Sequence, residues 1–485
     1  MKIISLILFI GFFTKANAQP NYKYLKPCQV EGTKDSALCG VLQVFENRQT
    51  KQGRKIGLNI IVIPAIDQTV VQSPIFYFDG GPGIATTKNA SFFVMKNNPY
   101  RQHHDIILVD ARGTGGSNPL NCYTLQYQKG IAEQFDKKNP DTEMYPANEV
   151  KACYDSLSQV ADLTQYTTTN IAKDIEEVRQ WLGYKKIHLY GLSYGTRLAQ
   201  EYMRRFPSSV ATVILWSPTA TGSKMPLYHA KFAQATVEKL FNDCANDASC
   251  KTNYPQLKKE FNALLEKGKE QTFKTTYTFT DSTTKSLSIP WHIFETKLRS
   301  LMYNPLGLRQ IPFIIHQSYS GNWKPFLALY QEKGSYSDFL SEGLYLCITC
   351  SEDVPFIKKS EIETLTKNTF MGNYRILQQQ IACANWARGN IPADFLQFIH
   401  SNIPVLIFSG EYDPVTAVSM AKEIAQYLSN SQLIIIPEMS HMFEGLSNEE
   451  CFDNMAAEFI NNSGKVKVKS DCIATMKPPA YKVKN

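Results

Sequence analysis

This sequence of 485 residues lacks the signatures of several large functional classes. It contains no P-loop and no G-x-G-x-x-G fingerprint, so nothing in it predicts a nucleotide or dinucleotide site. It also has no internal repeat. Its one basic run, KVKVK at 465–469, is typical of a solvated surface rather than of a nucleic-acid-binding patch. We therefore expect no nucleic-acid partner.

Long apolar runs are also missing, apart from one at the N-terminus. A lysine at position 2 precedes an apolar stretch at 3–13 that is too short to cross a bilayer. The sequence ANA at 16–18 matches a small-residue cleavage site. We interpret residues 1–18 as a signal peptide and expect an exported protein, periplasmic or secreted, with no membrane partner.

The chain has eleven cysteines, which fits export because disulfides persist in oxidising compartments. One C-x-x-C, at 347–350, resembles half of a zinc or redox site. It has no second C-x-x-C and no neighbouring histidine, so we expect no metal and no cofactor.

The most informative motif is GLSYG at 191–195, which has Ser193 at its centre. An apolar, strand-like run precedes it and a helix-like stretch follows it, which is the setting of a nucleophile elbow. The serine of an elbow sits on a sharp, strained turn. Both glycines are required, because a Cβ at either position would strike a neighbouring element. The alternative is an ordinary tight turn that matches G-x-S-x-G by chance.

A catalytic serine needs a histidine base, and the histidine needs a carboxylate that sets its tautomer. In the fold that uses this elbow, the chain order is serine, acid, histidine. Of the eight histidines, only His441 lies beyond the last strand that could carry the acid. Asp413 is the predicted acid, although Glu411 is a rival and Asp413 could instead cap a helix. Ser193, Asp413 and His441 each follow a predicted strand, where catalytic groups collect in open α/β sheets.

The transition state of acyl transfer carries a negative oxygen, which needs preorganised N–H donors. One predicted donor is the backbone N–H of Tyr194, directly after the nucleophile. The other is the backbone N–H of Gly81, in the sequence DGGPG at 79–83 that follows an apolar run. The alternative for DGGPG is a plain glycine turn.

This chain resembles the prolyl-iminopeptidase and tripeptidyl-aminopeptidase-like serine peptidases in three motifs, GGPG at 80–83, VDARGTGGS at 109–117 and GLSYGT at 191–196. The segments around Asp413 and His441 resemble that family's acid and base segments. NPLNC at 118–122 is similar to the secreted, tripeptidyl-aminopeptidase-like branch. The resemblance extends from about residue 28 to 472 and is weak in the middle. It implies an α/β-hydrolase fold and an aminopeptidase activity.

Prolyl iminopeptidases usually carry a histidine where this chain has Asp79. An aspartate there places a charge beside the predicted oxyanion site. The departure puts strict proline specificity in doubt rather than catalysis.

Spacing and the resemblance together imply five disulfides. Three join cysteines that are close in sequence and two are plausible by family likeness: Cys28–Cys39, Cys122–Cys153 and Cys244–Cys250, then Cys350–Cys383 and Cys451–Cys472. Sequence alone does not set connectivity. Cys347 is left over, or competes with Cys350.

Strand-like and helix-like segments alternate along the chain, which favours a mainly parallel sheet flanked by helices. One predicted helix spans 170–182, with Asn170 as its N-cap. The stretch between Ser193 and Asp413 is far longer than a hydrolase core needs, since one β–α unit takes about 30 residues.

We therefore predict an α/β-hydrolase core at 19–220 and 393–485. A mainly helical cap, inserted at 221–392 after the nucleophile unit, would lie over the serine and shape substrate choice.

An aminopeptidase must hold a free α-ammonium, and carboxylates do this through charge-assisted hydrogen bonds. Glu352 and Asp353 follow an apolar segment of the cap, and the motif CSED at 350–353 resembles the secreted branch. We predict that these two residues bind the substrate's amine. Alternatively, Glu352 is a solvated loop acid beside a disulfide, and Glu342 or Glu361 takes the role.

The sequence thus predicts an exported serine aminopeptidase, tripeptidyl or prolyl in type, whose partner is a short peptide with a free N-terminus. An esterase or another small-molecule hydrolase with the same triad is the first alternative, because the core carries the chemistry and the cap the specificity. A catalytically silent binding protein on the same fold is the second.

Overall fold

A mixed β-sheet forms the centre of the molecule in the computed structural model, which describes residues 22–69, 72–122, 125, 131–135, 143–279, 281–330 and 340–484. The predicted signal peptide lies outside the described residues. The strands are β1 (Lys26–Gln29), β2 (Ser36–Phe45), β3 (Lys55–Ile63), β4 (Ile75–Phe78), β5 (Ile106–Val109), β6 (Ile187–Leu192), β7 (Val210–Trp216), β8 (Phe273–Thr278), β9 (Thr284–Ile289), β10 (Val405–Gly410) and β11 (Ser431–Ile436).

Nine of the described strands form the main sheet in the order β1-β2-β3-β5-β4-β6-β7-β10-β11, and β8 pairs with β9 in a separate hairpin. The pairs β1–β2, β2–β3 and β3–β5 are antiparallel. All pairs from β5 to β11 along the sheet are parallel. The predicted α/β fold is therefore confirmed.

Burial follows this topology. Every residue of β4, β5, β6 and β10 is buried, which is the pattern of parallel strands covered by helices on both faces. Burial alternates along β3, as in an antiparallel strand with one exposed face. The strands that precede Ser193 and Asp413, β6 and β10, are thus among the most deeply buried of the sheet.

The described helices surround this sheet and fill the long insertion between β7 and β10. They are α1 (Ala90–Phe93), α2 (Ile131–Gln134), α3 (Ala147–Ser158), α4 (Thr168–Trp181), α5 (Tyr194–Arg205), α6 (His229–Asn246), α7 (Ala248–Asn253), α8 (Leu257–Glu270), α9 (Trp291–Leu301), α10 (Pro305–Leu308), α11 (Ile311–Tyr319), α12 (Lys324–Ala328), α13 (Glu342–Glu352), α14 (Lys359–Thr366), α15 (Tyr374–Cys383), α16 (Val418–Tyr427) and α17 (Glu450–Asn461).

Helix α4 begins two residues before the position predicted for it, so Asn170 is not its N-cap. The N-cap is Thr167, whose side chain accepts a hydrogen bond from the backbone N–H of Asn170 at 3.4 Å. Threonine and asparagine both cap helices well. A tertiary contact supports the earlier start, because the carboxylate of Glu352 accepts the N–H of Thr168 at 2.6 Å.

The insertion is mainly helical, as predicted, and packs as two parts. Its first part has an apolar core of its own, built around residues such as Val237, Phe261 and Phe294. Its last part, α13 and α15, contributes residues such as Leu346 and Cys383 to the main core instead. The predicted limits at 221 and 392 stay a prediction.

The five disulfides predicted from spacing and resemblance are confirmed. Cys347 is free and buried, and its Sγ accepts a hydrogen bond from Trp386 Nε1 at 3.4 Å. Among the described helices, none is both long enough and apolar enough to cross a bilayer.

Candidate active site

Ser193 occupies the turn between β6 and α5. Its backbone has φ 53° and ψ −119°, a region that residues with a Cβ seldom adopt. A Cβ added at Gly191 would lie 2.4 Å from the carbonyl oxygen of Gly195. One added at Gly195 would lie 2.1 Å from the carbonyl oxygen of Phe78. Both glycines of the motif are therefore sterically required, as the elbow interpretation expects.

His441 and Asp413 form a buried hydrogen-bonded pair. The Nδ1 of His441 lies 2.8 Å from Oδ2 of Asp413, and the two residues are 4% and 3% exposed. A carboxylate only accepts, so Nδ1 carries the proton of this bond and Nε2 is left as the acceptor. This is the tautomer that a general base needs.

The carboxylate of Asp413 is held in its ionised form. Its Oδ1 accepts the backbone N–H groups of Val415 and Thr416 at 2.7 and 2.8 Å, and its Oδ2 accepts the Thr416 hydroxyl at 2.7 Å. Burial opposes ionisation, but the charge of His441 and these hydrogen bonds outweigh it. The pKa of Asp413 therefore lies below its ordinary value.

The alternatives for the acid fit the structure less well. The side chain of Glu411 is 46% exposed, and the cation it meets is Lys239 at 3.8 Å. Asp413 does not cap a helix, because α16 starts at Val418 with Ala417 as its N-cap. It is Asp413, rather than Glu411, that the structure brings to His441.

Two residues that contact His441 were not predicted from the sequence. The Ser217 hydroxyl donates to the carbonyl oxygen of His441 at 2.8 Å and ties the histidine loop to the end of β7. Tyr303, from the insertion, places its ring 5.2 Å from the imidazole. No local motif marks either residue, because both reach His441 only through the tertiary fold.

The two predicted oxyanion donors lie in the wall of the same cavity as Ser193 and His441. Tyr194 is the first residue of α5, where backbone N–H groups have no partner within the helix and the helix dipole favours negative charge. The N–H of Gly80 is engaged by Asp79 Oδ1 at 2.6 Å. Gly81 is therefore the better candidate for the second donor.

The cavity has a volume of about 1030 Å³ and lies between the sheet and the insertion. Pockets for small ligands occupy about 300–1,000 Å³, so a short peptide has room here. The insertion contributes Tyr303, Arg299 and Arg375 to the wall. The guanidinium of Arg299 donates to the Tyr303 hydroxyl at 3.2 Å.

Glu352 and Asp353, predicted to bind the amine, occupy different places. Glu352 is fully buried behind the wall, where its two oxygens accept the backbone N–H and the hydroxyl of Thr168 at 2.6 and 2.7 Å. Asp353 lines the cavity but is paired with the guanidinium of Arg197 through two hydrogen bonds of 2.9 and 2.8 Å. Only Asp353 therefore borders the space a substrate would fill, and its charge is already matched.

The two alternative amine-binding residues, Glu361 and Glu342, lie in different surroundings. Glu361 pairs with Lys224 at 2.6 Å. Glu342 is buried, and burial raises its pKa to about 8 against the opposing charge of Arg375. No observation favours either rival over Asp353.

Sequence reasoning missed three acids that line the cavity, Glu444, Glu449 and Asp453. All three follow His441 along the chain, in the loop before α17 and at the start of that helix. The one available signal was this concentration of acids directly after the predicted base.

Two protein families match parts of this chain. The family described as alpha/beta hydrolase fold matches residues 73–288. The family described as TAP-like protein matches residues 368–472. The matched ranges include all three residues of the predicted triad.

Curated relatives match over part of their length. Serine protease Hip1 of Mycobacterium tuberculosis is 30% identical over 225 residues, which are 44% of this chain and 42% of that protein. Tripeptidyl aminopeptidase of Streptomyces coelicolor is 26% identical over 213 residues, 40% of this chain and 38% of that protein. The aligned part of the chain thus spans less than half the length of these relatives.

Solved structures are also similar to this chain. Proline iminopeptidase of Mycobacterium smegmatis is 13% identical and has a TM-score of 0.39, with 88% of this chain and 99% of that chain covered. The two family matches and the sheet topology show that the chain has the alpha/beta hydrolase fold and a C-terminal segment that is similar to TAP-like proteins.

Proposed function

We propose that this protein is a serine exopeptidase that removes residues from the free N-terminus of short peptides, as a tripeptidyl- or prolyl-type aminopeptidase. The observation that carries the proposal is the Asp413–His441 hydrogen bond of 2.8 Å, in a cavity that also exposes the strained Ser193. A buried acid–base pair beside a serine on an elbow serves acyl transfer.

In the proposed reaction, His441 Nε2 removes the proton from the Ser193 hydroxyl as its oxygen attacks the scissile carbonyl. The backbone N–H groups of Tyr194 and Gly81 stabilise the resulting oxyanion. His441 then gives its proton to the leaving amine, and the acyl-enzyme forms. A water molecule, activated by the same histidine, releases the acyl group from Ser193. Asp413 keeps the imidazole in the required tautomer throughout.

The choice of a peptide substrate is supported by the relatives, two of which are named as a serine protease and a tripeptidyl aminopeptidase. The preference for chain ends is supported by the insertion, because its residues Arg299, Tyr303 and Arg375 line the same cavity as Ser193. Five disulfides support the further proposal that the protein works outside the cytoplasm.

The experiment is a substrate panel at fixed pH. It compares aminoacyl and tripeptidyl aminomethylcoumarins with free or acetylated N-termini, with p-nitrophenyl esters as controls. The proposal expects the free-amine peptides to give the highest kcat/KM, and expects Ser193→Ala to remove that activity. Equal rates on free and acetylated peptides would exclude an aminopeptidase. Hydrolysis of esters alone would instead identify an esterase.

A further inference from the structure

Four carboxylates that the proposed mechanism does not use line one region of the cavity wall. Asp79 precedes the glycine-rich loop, and Glu444, Glu449 and Asp453 follow the catalytic histidine. Tyr77, the residue two before Asp79, lines the same wall. We call these five residues the acidic pocket.

No Lys or Arg of the described residues forms an ion pair with any carboxylate of the acidic pocket. Two other charges in the cavity wall are matched. Asp353 is paired with Arg197 at 2.8 Å, and Lys88 is paired with Glu31 at 3.1 Å. The acidic pocket is therefore a concentration of negative charge that the described protein does not neutralise.

These carboxylates act on one another. Burial raises the pKa of Asp453 to about 6, and the charges of Glu449 and Glu450 add to this against the hydrogen bond from Tyr100. Glu444 is accessible to solvent within the cavity, but partial desolvation there raises its pKa, with Glu449 adding to this and His441 opposing it. Placing a cation among the carboxylates would offset both the desolvation and the mutual repulsion.

Tyr77 provides an independent observation that points to a ligand. It is 5% exposed, and its hydroxyl has no hydrogen-bond partner among the described residues. Burial and then the charges of Asp79, Tyr190, Glu444 and Asp453 raise its pKa, because these groups lie near it. Tyr77 lines the cavity, so its hydroxyl oxygen is free to accept a hydrogen bond from the N–H group of a ligand there.

Aromatic rings complete the surroundings. The ring of Tyr77 meets Tyr190 edge-on at 5.3 Å and Phe93 at 5.1 Å. All three residues line the cavity. Aromatic faces attract cations, so rings and carboxylates together form a suitable environment for an ammonium group.

We propose that the acidic pocket binds a primary ammonium group of the substrate, which donates hydrogen bonds to Glu444, Asp453 and the Tyr77 hydroxyl. The inference rests on the proposed function and deepens it, because it places the substrate's cation beside His441 rather than at Glu352 and Asp353. The ammonium can belong to the peptide N-terminus or to a lysine side chain, and these two sources share the same chemistry.

The test compares Glu444→Gln, Asp453→Asn and Tyr77→Phe with the wild type. Glu458→Gln is the matched control, because it removes the same charge from an exposed position of α17, outside the cavity wall. Asp453→Asn keeps an oxygen that can accept the Tyr100 hydroxyl, which donates at 2.7 Å. Glu444 is exposed to the cavity, so its substitution leaves the packing intact.

Three substrates distinguish the sources of the ammonium. They are Ala-Ala-Ala-aminomethylcoumarin, its N-acetyl form, and N-acetyl-Ala-Ala-Lys-aminomethylcoumarin. We expect Glu444→Gln to lower kcat/KM on one ammonium-bearing substrate by about tenfold or more, mainly through KM, relative to the neutral acetyl substrate. The substrate affected identifies the N-terminus or the lysine side chain as the source. Glu458→Gln should change kcat/KM on all three substrates by less than about twofold.

A second measurement separates this inference from the proposed function. L-Alaninamide, which carries an ammonium, and its N-acetyl form are compared as inhibitors of p-nitrophenyl acetate hydrolysis. Inhibition by alaninamide that Glu444→Gln weakens about tenfold supports the acidic pocket even if no peptide is cleaved. Peptide cleavage with the same free-to-acetyl ratio in wild type and in all three variants would overturn the inference while leaving the peptidase intact. Asp353→Asn is measured beside these variants, and a loss of the free-amine preference in Asp353→Asn alone would overturn the inference in favour of the residues predicted from the sequence.

Discussion

Replacing Asp413 by asparagine should remove nearly all activity while leaving the fold in place. The backbone N–H groups of Val415 and Thr416 both donate to Oδ1 of Asp413, so the new amide must keep its oxygen on that side. Its NH₂ group then faces His441 Nδ1, across the 2.8 Å that the carboxylate Oδ2 spans in the wild type. An NH₂ donor forces the proton of the imidazole onto Nε2, which can no longer accept the proton of Ser193.

The same exchange in a serine protease triad lowers kcat about 10⁴-fold, or about 5.4 kcal/mol of transition-state stabilisation. We expect a loss of this size in kcat on the best substrate of the panel, with KM little changed. Glu411→Gln is the matched control, because Glu411 is the rival acid two positions away, and it should stay within about twofold. Retention of more than a tenth of wild-type kcat in Asp413→Asn, or an equal loss in Glu411→Gln, would refute this assignment.

Three further predictions follow from single contacts. Because the Asp453 carboxyl has a pKa of about 6, it takes up a proton as the pH falls from 7 to 5. The ratio of kcat/KM on the ammonium-bearing substrate to kcat/KM on the acetylated substrate should fall over that range. Protonation of the triad lowers both rates equally and therefore does not change this ratio. Gly195→Ala would place its Cβ 2.1 Å from the Phe78 carbonyl oxygen, so it should lower the urea midpoint and abolish labelling of Ser193 by a phosphonate. Arg197→Gln leaves two buried carboxylates unpaired and should cost roughly 3–5 kcal/mol of unfolding free energy at pH 8. Since burial already raises the pKa of Glu352 to about 7 against the charge of Arg197, that loss should shrink as the pH falls to 5 and the carboxyl is protonated; equal losses at both pH values would contradict this.

Residues whose roles follow from local order could be predicted from the sequence. The elbow at Ser193 has its two glycines and its flanking strand and helix within a few positions. His441 was selected because chain order left no other histidine, and the structure brings it to Asp413. The disulfides were also predictable, since their cysteines are close in sequence or match the family pattern.

Roles that depend on distant partners could not be predicted. The chain around Glu352 contains no sign that Thr168 and Arg197 will occupy its carboxylate, because these residues are 184 and 155 positions away. The same is true of the acidic pocket. Asp453 and Tyr100 are hydrogen-bonded across 353 positions, and only the packing of α17 against the helical turn Pro99–Arg101 brings them together. Asp79 could be recognised in the sequence as a departure from the family pattern, but the acids that lie near it in the fold could not be predicted.

In the proposed mechanism, Ser193 is the nucleophile that attacks the substrate. The most direct measurement is reaction of the wild-type protein with a biotinylated fluorophosphonate, followed by digestion and mass spectrometry of the labelled peptide. We predict a single adduct on Ser193, and neither labelling nor peptide hydrolysis in Ser193→Ala. An adduct on another residue, or a Ser193→Ala variant that still cleaves peptides at the wild-type rate, would contradict it.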